Sequence, residues 1–407
     1  MPALLTYLPC TGSAFGGRCL MIAIIGMLAG YSCLPGSWLH DPWLILSSLV
    51  CARFLSFPVS RSFWPVWTFL GWMTLRSVFS AGNEWALGLA GVSLLVLALM
   101  LFSRTAQNPS MMASVGVWTG HLTALAALIS IGWHLRQWGV NFEDHRLQNL
   151  LVYGGLNPVC TGLLFGFSGL WLCALPLSRF TTLSALILMT AAFCSGSRGA
   201  MLSLLVGHGV LLAAHGLRRG WRPLLVLAVS ALLFSLSGMA VERPPEAAAS
   251  SATGISQPWE RAIHRPNDGR RAIYVAGWRS IETSLDGWIG IGEWSTKDRW
   301  KRFLPSDPWG LSGHLHSVFL ATLVHGGVIG FGLLLALIGH AARHAWARLR
   351  EGDALWPCLF SYGLMALVFD GESLGYLLTL PRFETPLFWL PVMQLLTSRA
   401  ALMDRPA

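Results

Sequence analysis

Arg198 stands in the run Cys194-Ser195-Gly196-Ser197-Arg198-Gly199-Ala200, between two apolar stretches that leave almost no room for a loop. Gly196 and Gly199 permit a tight reversal that exposes backbone N–H groups at the start of the following helix. A guanidinium beside a helix N-terminus is a receptor for phosphate. Arg270 and Arg271 open a second basic stretch that interleaves aromatic residues, Tyr274 and Trp278, with Arg279. Read as a helix, it places Arg271, Val275, Trp278 and Glu282 on one face. His314 and His316, at i and i+2, precede a strongly apolar run containing Gly326, Gly327 and Gly330. A histidine near neutral pH accepts a proton from a hydroxyl, and the glycines allow close packing behind it. Each group has a plainer counterpart: a snorkelling arginine, an amphipathic helix gripping anionic headgroups, a histidine that only packs. His121, His208 and His325 fall inside apolar runs and read as packed core.

The elements that must position these residues are membrane helices. Of 407 residues, 54% are hydrophobic and 12% charged, against roughly 25% charged in soluble domains. Spanning a hydrocarbon core takes about 20 apolar residues. On that basis the chain predicts an all-α polytopic membrane protein of about 12 transmembrane helices: 19–35, 41–58, 63–80, 85–103, 111–133, 157–176, 179–195, 199–216, 222–240, 316–339, 354–370 and 383–399. Three regions follow: helices one to nine in 1–240, one large polar loop in 241–315, and helices ten to twelve in 316–407. The loop begins with a Pro-, Ala- and Ser-rich part from Glu242 to Pro258 with the composition of a flexible segment. Its aromatic and basic part, Arg270 to Trp309, predicts short helices lying against the membrane. Arg18 precedes the first apolar run without an A-x-A-like cleavage site, which reads as a retained span.

Orientation follows from positive charge in the short connections. With both termini cytoplasmic, the inner segments hold Arg18, Arg53, Arg61, Arg104, Arg179, Arg218, Arg219, Arg222, Arg343, Arg348, Arg350, Arg399 and Arg405. The short outer segments hold Arg76, Arg136, Arg146, Arg198 and Arg382, a bias of thirteen to five. The 134–156 loop, the Ser197-Arg198-Gly199 turn, the 241–315 loop and the Asp370–Arg382 turn then share the extracytoplasmic face. The chain crosses the bilayer twice between Arg198 and His316, so the two can meet at one membrane surface, as a lipid-linked substrate requires. The large loop carries ten basic against nine acidic residues, which long translocated loops tolerate.

The formal charge of +9 would suit nucleic acid only with a block of lysines or arginines, and there is none. All eight cysteines but Cys10 lie in or at the ends of apolar runs and none in the polar loop. No disulfide framework, zinc site or cofactor motif is expected.

Taken together these residues resemble the O-antigen ligases. Histidine, then Asn, Ser or Gln, nine residues, Gly, two residues, and Gly, Thr or Tyr is that family's signature. His316-Ser317, nine residues, Gly327, two residues and Gly330 fit it throughout. The Ser197-Arg198-Gly199 turn is similar to one found two spans before the big loop across the O-antigen ligase and polymerase superfamily. So are Asp268-Gly269-Arg270 with Tyr274, the Gly287-Trp288-Ile289-Gly290-Ile291-Gly292 stretch, and Asn157-Pro158 opening a helix. The resemblance covers roughly residues 150–340. Tyr274 stands where relatives often have Trp, and the family's loop arginine corresponds to Arg270 or to Arg271.

The resemblance implies a membrane-embedded, GT-C-like glycosyltransferase of the bacterial inner membrane, metal-independent and inverting, with its catalytic loop periplasmic. Its donor would be a glycan on undecaprenyl pyrophosphate and its acceptor a sugar hydroxyl of lipid A-core, both presented among membrane lipids. Arg198 with Arg270 or Arg271 would meet the charge of the leaving diphosphate. His316, with His314 as substitute, would accept or orient the acceptor proton. Family members also polymerise O-antigen or ligate glycans to protein, so the acceptor stays open. The protein-directed type typically has a larger second-domain C-terminus, which this sequence does not show. A transporter or flippase would instead call for internal repeats and paired broken helices, and no repeat is evident. The topology makes a direct prediction: a cysteine placed at Ser251 is labelled by an impermeant thiol reagent in intact cells, with the unaltered protein as control. Labelling only after the inner membrane is breached would reverse the orientation.

Overall fold

The computed structural model describes residues 14–33, scattered positions between 39 and 49, 61–80, 85–106, 108–142, 145–151, 157–176, 178–239, 268–292, 303, 315–371, 374 and 383–397. The described residues form helices and connections without a strand. In chain order these are α1 (Ala14–Cys33), α2 (Trp64–Ser80, after a 3-10 turn), α3 (Trp85–Ala106), α4 (Pro109–Trp138), α5 (Pro158–Ala174), α6 (Arg179–Cys194) and α7 (Arg198–Met239). They continue with α8 (Asp268–Arg279), α9 (Ser284–Ile289), α10 (Val318–Arg350), α11 (Leu355–Phe369) and α12 (Leu390–Leu396), the last preceded by a π turn over Thr385–Trp389. The predicted helices 63–80, 85–103, 157–176, 179–195 and 354–370 recur at close bounds, α4 and α10 extend several residues further, 199–216 and 222–240 form the single α7 with a break at Gly216, and 383–399 is a π turn followed by the short α12. The predicted helix 41–58 and most of the 241–315 loop, His314 included, lie outside the described residues. Glu282 lies beyond the end of α8, because the backbone turns at Ser280 before a fresh capping box at Thr283 and Asp286 starts α9.

Among the described residues four helical segments are long and apolar enough to cross a membrane: Gly88–Ala106, Pro109–Trp138, Arg198–Gly216 and Val318–Arg350. Six shorter apolar helices accompany them. The bundle is centred on α5, in which every residue from Thr161 to Cys173 is buried, as expected of a helix apolar all round. It packs against α4, α6, α7 and α11. Tyr362 donates from its hydroxyl to the Leu163 carbonyl at 2.8 Å, and Trp171 meets Trp356 edge-on. The outer surface carries Leu125, Ile129, Phe180, Leu183, Leu205 and Leu232 well exposed, an apolar exterior suited to lipid.

Among the described helices two break, and one break builds the site. α7 turns at Gly216, φ 64°. α10 is interrupted at Gly327, φ 67° and ψ −171°, which leaves carbonyls of the preceding turn without helical partners. Ile291 and Gly292 donate their N–H groups to the Val324 and His325 carbonyls, both at 3.0 Å. Trp72 Nε1 donates to Gly326 O at 2.8 Å, and Arg76 Nη2 donates to Gly290 O at 2.7 Å. Each such bond contributes about 0.5–1.5 kcal/mol, whereas a buried carbonyl left unpaired costs about 1–3 kcal/mol. A Cβ on Gly327 would collide with the Trp288 carbonyl and the Gly290 nitrogen, and one on Gly290 with the His325 carbonyl. The backbones touch here because neither residue has a side chain.

Gly327→Ala therefore combines left-handed strain of about 1–3 kcal/mol with a backbone collision. We expect it to lower the thermal midpoint in detergent, read by loss of the monodisperse chromatographic peak. Gly332→Ala on the same helix, which meets open space, should leave that midpoint unchanged.

Candidate functional site

His316 sits between the loop and α10. Its φ of 51° makes it the one non-glycine residue among the described ones with a left-handed backbone, a conformation that persists when its surroundings fix it. Three contacts do so. Tyr274 donates from its hydroxyl to the His316 carbonyl at 3.3 Å. Ser317 caps α10, its hydroxyl accepting from Leu320 N. Asp370 Oδ1 lies 3.1 Å from His316 Nδ1 and also accepts the Gly371 N–H at 2.9 Å. His316 is 6% and Asp370 1% exposed, so the pair faces little water to compete for either partner. With the proton on Nδ1 directed at Asp370, Nε2 is the basic nitrogen. This tautomer is assigned from the hydrogen bond.

The loop helices bring the second component. α8 buries Ile273 and Ala276 against Leu315, Ala321 and Val324, with Ile291 completing the cluster, and turns Arg271, Val275 and Trp278 outward. Arg270 points inward instead, and its Nη1 donates to the Phe369 carbonyl at 2.8 Å. Burial pushes the Tyr274 phenol up; neighbouring Arg270 pulls it down and Asp370 pushes it up. The phenol therefore remains a donor at neutral pH, and those two charges are its neighbours.

The third component is the turn between α6 and α7. Ser197 caps α7, accepting from Ala200 N at 3.2 Å, and Arg198 is the exposed first residue of the helix. Gly199 packs so closely on Phe369 that a Cβ would lie 3.2 Å from the Phe369 Cβ. Phe369 to Gly371 is thus where the parts meet: Gly199 lies against its ring, Arg270 bonds its carbonyl, and Asp370 holds His316. Glu384, 4% exposed, closes the far side beside Gly371.

Of the residues singled out in the sequence, His316 and Arg270 join this cluster directly, and Arg198 flanks it through Gly199. Arg271 faces away from it. His314 lies outside the described residues. Asn157 and Pro158 open α5 as expected, the Asn157 side chain accepting from Val159 N at 2.9 Å. His208 and His325 are buried within their helices and His121 bonds Ser184 at 2.8 Å. Sequence reading missed Asp370, Glu384 and Arg146. Asp370 carried a legible signal, a carboxylate ending an apolar run on the face already assigned to His316. Arg146 donates from Nε to the Ser195 carbonyl at 2.7 Å, a contact that no motif announces.

The comparison with known families falls on this region. Residues 183–335 match the model of the family described as O-Antigen ligase, a span that includes the Arg198 turn, α8, α9, His316 and the Gly327 break. Asp370 lies beyond the match. No curated protein matches the chain. Residues 183–335 thus match the O-antigen ligase family, and they sit in a bundle of apolar helices of the kind a multi-pass membrane protein has.

Proposed function

We propose that the protein transfers O-antigen, or a related glycan, from undecaprenyl pyrophosphate to a sugar hydroxyl of lipid A-core. The reaction would occur at the periplasmic face of the bacterial inner membrane, inverting the anomeric carbon without a metal ion. The family match over residues 183–335 supports, in general terms, a glycosyl-transferring enzyme with a polysaccharide donor and a lipid acceptor. The observation that carries the reading is the His316–Asp370 pair at 3.1 Å, joined through Phe369 to Arg270 and to the turn that bears Arg198. Residues 1–240 would supply the first nine membrane helices, 241–315 the periplasmic loop and 316–407 the last three helices. Arg76 bonds the loop backbone at one end of α2, while Ser62 at its other end accepts from His340. That supports a common face for Arg76 and the loop.

In this mechanism the acceptor hydroxyl oxygen attacks the anomeric carbon from the side opposite the diphosphate. The new C–O bond forms as the bond to the phosphate oxygen breaks. Undecaprenyl pyrophosphate departs with the bonding pair, and the hydroxyl proton passes to His316 Nε2. Asp370, fixed by the Gly371 N–H, orients the ring. Negative charge grows on the leaving oxygen, and preorganised guanidinium groups stabilise it. Arg198 and Arg270 would supply them. Arg270 is held by one nitrogen against Phe369, and its planar fork presents further donors.

The proton-transfer step predicts that His316→Ala loses about 100-fold or more in rate with donor binding largely kept, and that Asp370→Ala approaches the same loss. An assay with purified protein, lipid-linked donor and rough-type lipopolysaccharide measures both. Turnover of His316→Ala at the wild-type rate, or abolition of activity by EDTA, would refute this mechanism. The charge-stabilising step predicts that Arg198→Ala and Arg270→Ala abolish transfer while the protein still inserts. Arg198→Lys should also be poor because a point charge lacks the bidentate fork, and Arg271→Ala should be mild. In cells, a lipopolysaccharide gel of the deletion strain identifies the acceptor. Polymer lost from lipid A-core while lipid-linked polymer accumulates means ligation; retained single-repeat capping means polymerisation.

A further inference from the structure

A cavity of about 440 Å³ opens at the end of α4, lined by Trp133, His134, Trp138, His145, Arg146 and Gln148 among others. Its volume falls in the range of small-ligand sites, about 300–1,000 Å³. α4 has 30 residues, about 45 Å of helix, whereas the hydrocarbon core is about 30 Å thick. The helix therefore overshoots the core by roughly ten residues, and Trp133 to Trp138 stand at its overhanging end.

The cavity is already built. The Trp138 ring stacks on His145 with centroids 3.7 Å apart, and His134 stacks on Phe142 at 4.2 Å. The loop that forms its far wall is pinned at several points. Leu147 N donates to the Cys194 carbonyl at 3.1 Å, Asn149 Nδ2 to the Ser32 carbonyl at 2.8 Å, and Leu150 N to Ser130 Oγ at 3.2 Å. Arg146 bonds Ser195, three residues before Arg198. Indole faces stand beside two imidazoles, an amide and one guanidinium. Lipid tails would want a wholly apolar lining, and a bare phosphate would gain nothing from two tryptophans. A sugar ring matches both halves: its C–H faces carry slight positive charge and settle on the negative face of an indole. Its rim of hydroxyls pairs with side chains that donate and accept.

We propose that this cavity is a saccharide subsite that holds a pyranose ring close to the Arg198 turn. The inference rests on the transferase reading above for which glycan it holds; its position beside Arg198 favours a sugar of the donor chain, near the diphosphate. Trp133 and Trp138 carry the ring face, while His145 and Gln148 pair with its hydroxyls.

Saturation-transfer NMR on the full protein in nanodiscs tests it, with two soluble probes: O-polysaccharide released from its lipid carrier, and core oligosaccharide released from lipid A. One probe should bind the wild type. Trp133→Ala and Trp138→Ala should each weaken that binding about tenfold, equivalent to about 1.4 kcal/mol, and Trp133→Phe should restore most of it at an unchanged thermal midpoint. Donor-glycan binding supports the favoured source, and core binding supports the same site filled from the acceptor. In the transfer assay Trp133→Ala should raise KM for the corresponding lipid-linked substrate about tenfold, with kcat changed less than about twofold. Binding of neither probe, binding indifferent to both substitutions, or a cavity that responds only to phosphatidylglycerol content would overturn the proposal. Saccharide binding without transfer by the wild type would refute the transferase reading and leave the subsite standing. Transfer with no saccharide binding would do the reverse.

Discussion

The interruption of α10 at Gly327 leaves backbone carbonyls that must find donors, because an apolar surrounding offers no water to satisfy them. The donors are the Ile291 and Gly292 N–H groups and the Trp72 indole. That requirement seats residues 290–292 against the helix, where Gly290 and Gly327 approach too closely for any side chain to intervene. Once 290–292 is seated, α9 and α8 have little freedom. α8 covers Leu315 and Val324, which brings Tyr274 to the His316 carbonyl and Arg270 to Phe369. The glycine spacing after the histidine thus positions the loop, in addition to allowing close helix packing.

The second constraint is charge burial. Asp370, 1% exposed, would be costly at the end of α11 without partners, since a buried carboxylate is retained only when hydrogen-bonded. His316 and Gly371 supply these bonds, and the left-handed backbone of His316 delivers the ring to that carboxylate. Strain at one residue and burial at another are therefore coupled: each is tolerated because the other is present. Tyr274, held as a neutral phenol by burial, ties the same residue to the loop.

The membrane class and the order of the described helices were legible because the code for them is local: runs of apolar residues, interrupted by arginines whose distribution favours one orientation. The helix start at Asn157-Pro158 was equally readable, since capping depends on residues within four positions. Reading Glu282 onto the face of α8 failed for the opposite reason. Periodicity extends a helix until something stops it, and what stops α8 at Arg279 is the packing of Ser280 and the new cap at Thr283.

For the candidate site, the sequence by itself determined which residue types were available, Arg198, Arg270 or Arg271, and His316, and gave a charge pattern that would put them on one face. It could not choose between Arg270 and Arg271, because neighbours in a helix differ by about 100° in direction and only the packing of Ile273 and Ala276 decides which turns inward. Nor could it pair His316 with Asp370, 54 residues away, or Arg146 with Ser195, 49 away. Those contacts are made by chain segments that meet only after the helices have assembled, and a hydrogen bond between them leaves no periodic trace. Membrane insertion is encoded along the chain; the proposed acid–base pair exists only in the tertiary structure, where buried charge and broken backbone must both be satisfied.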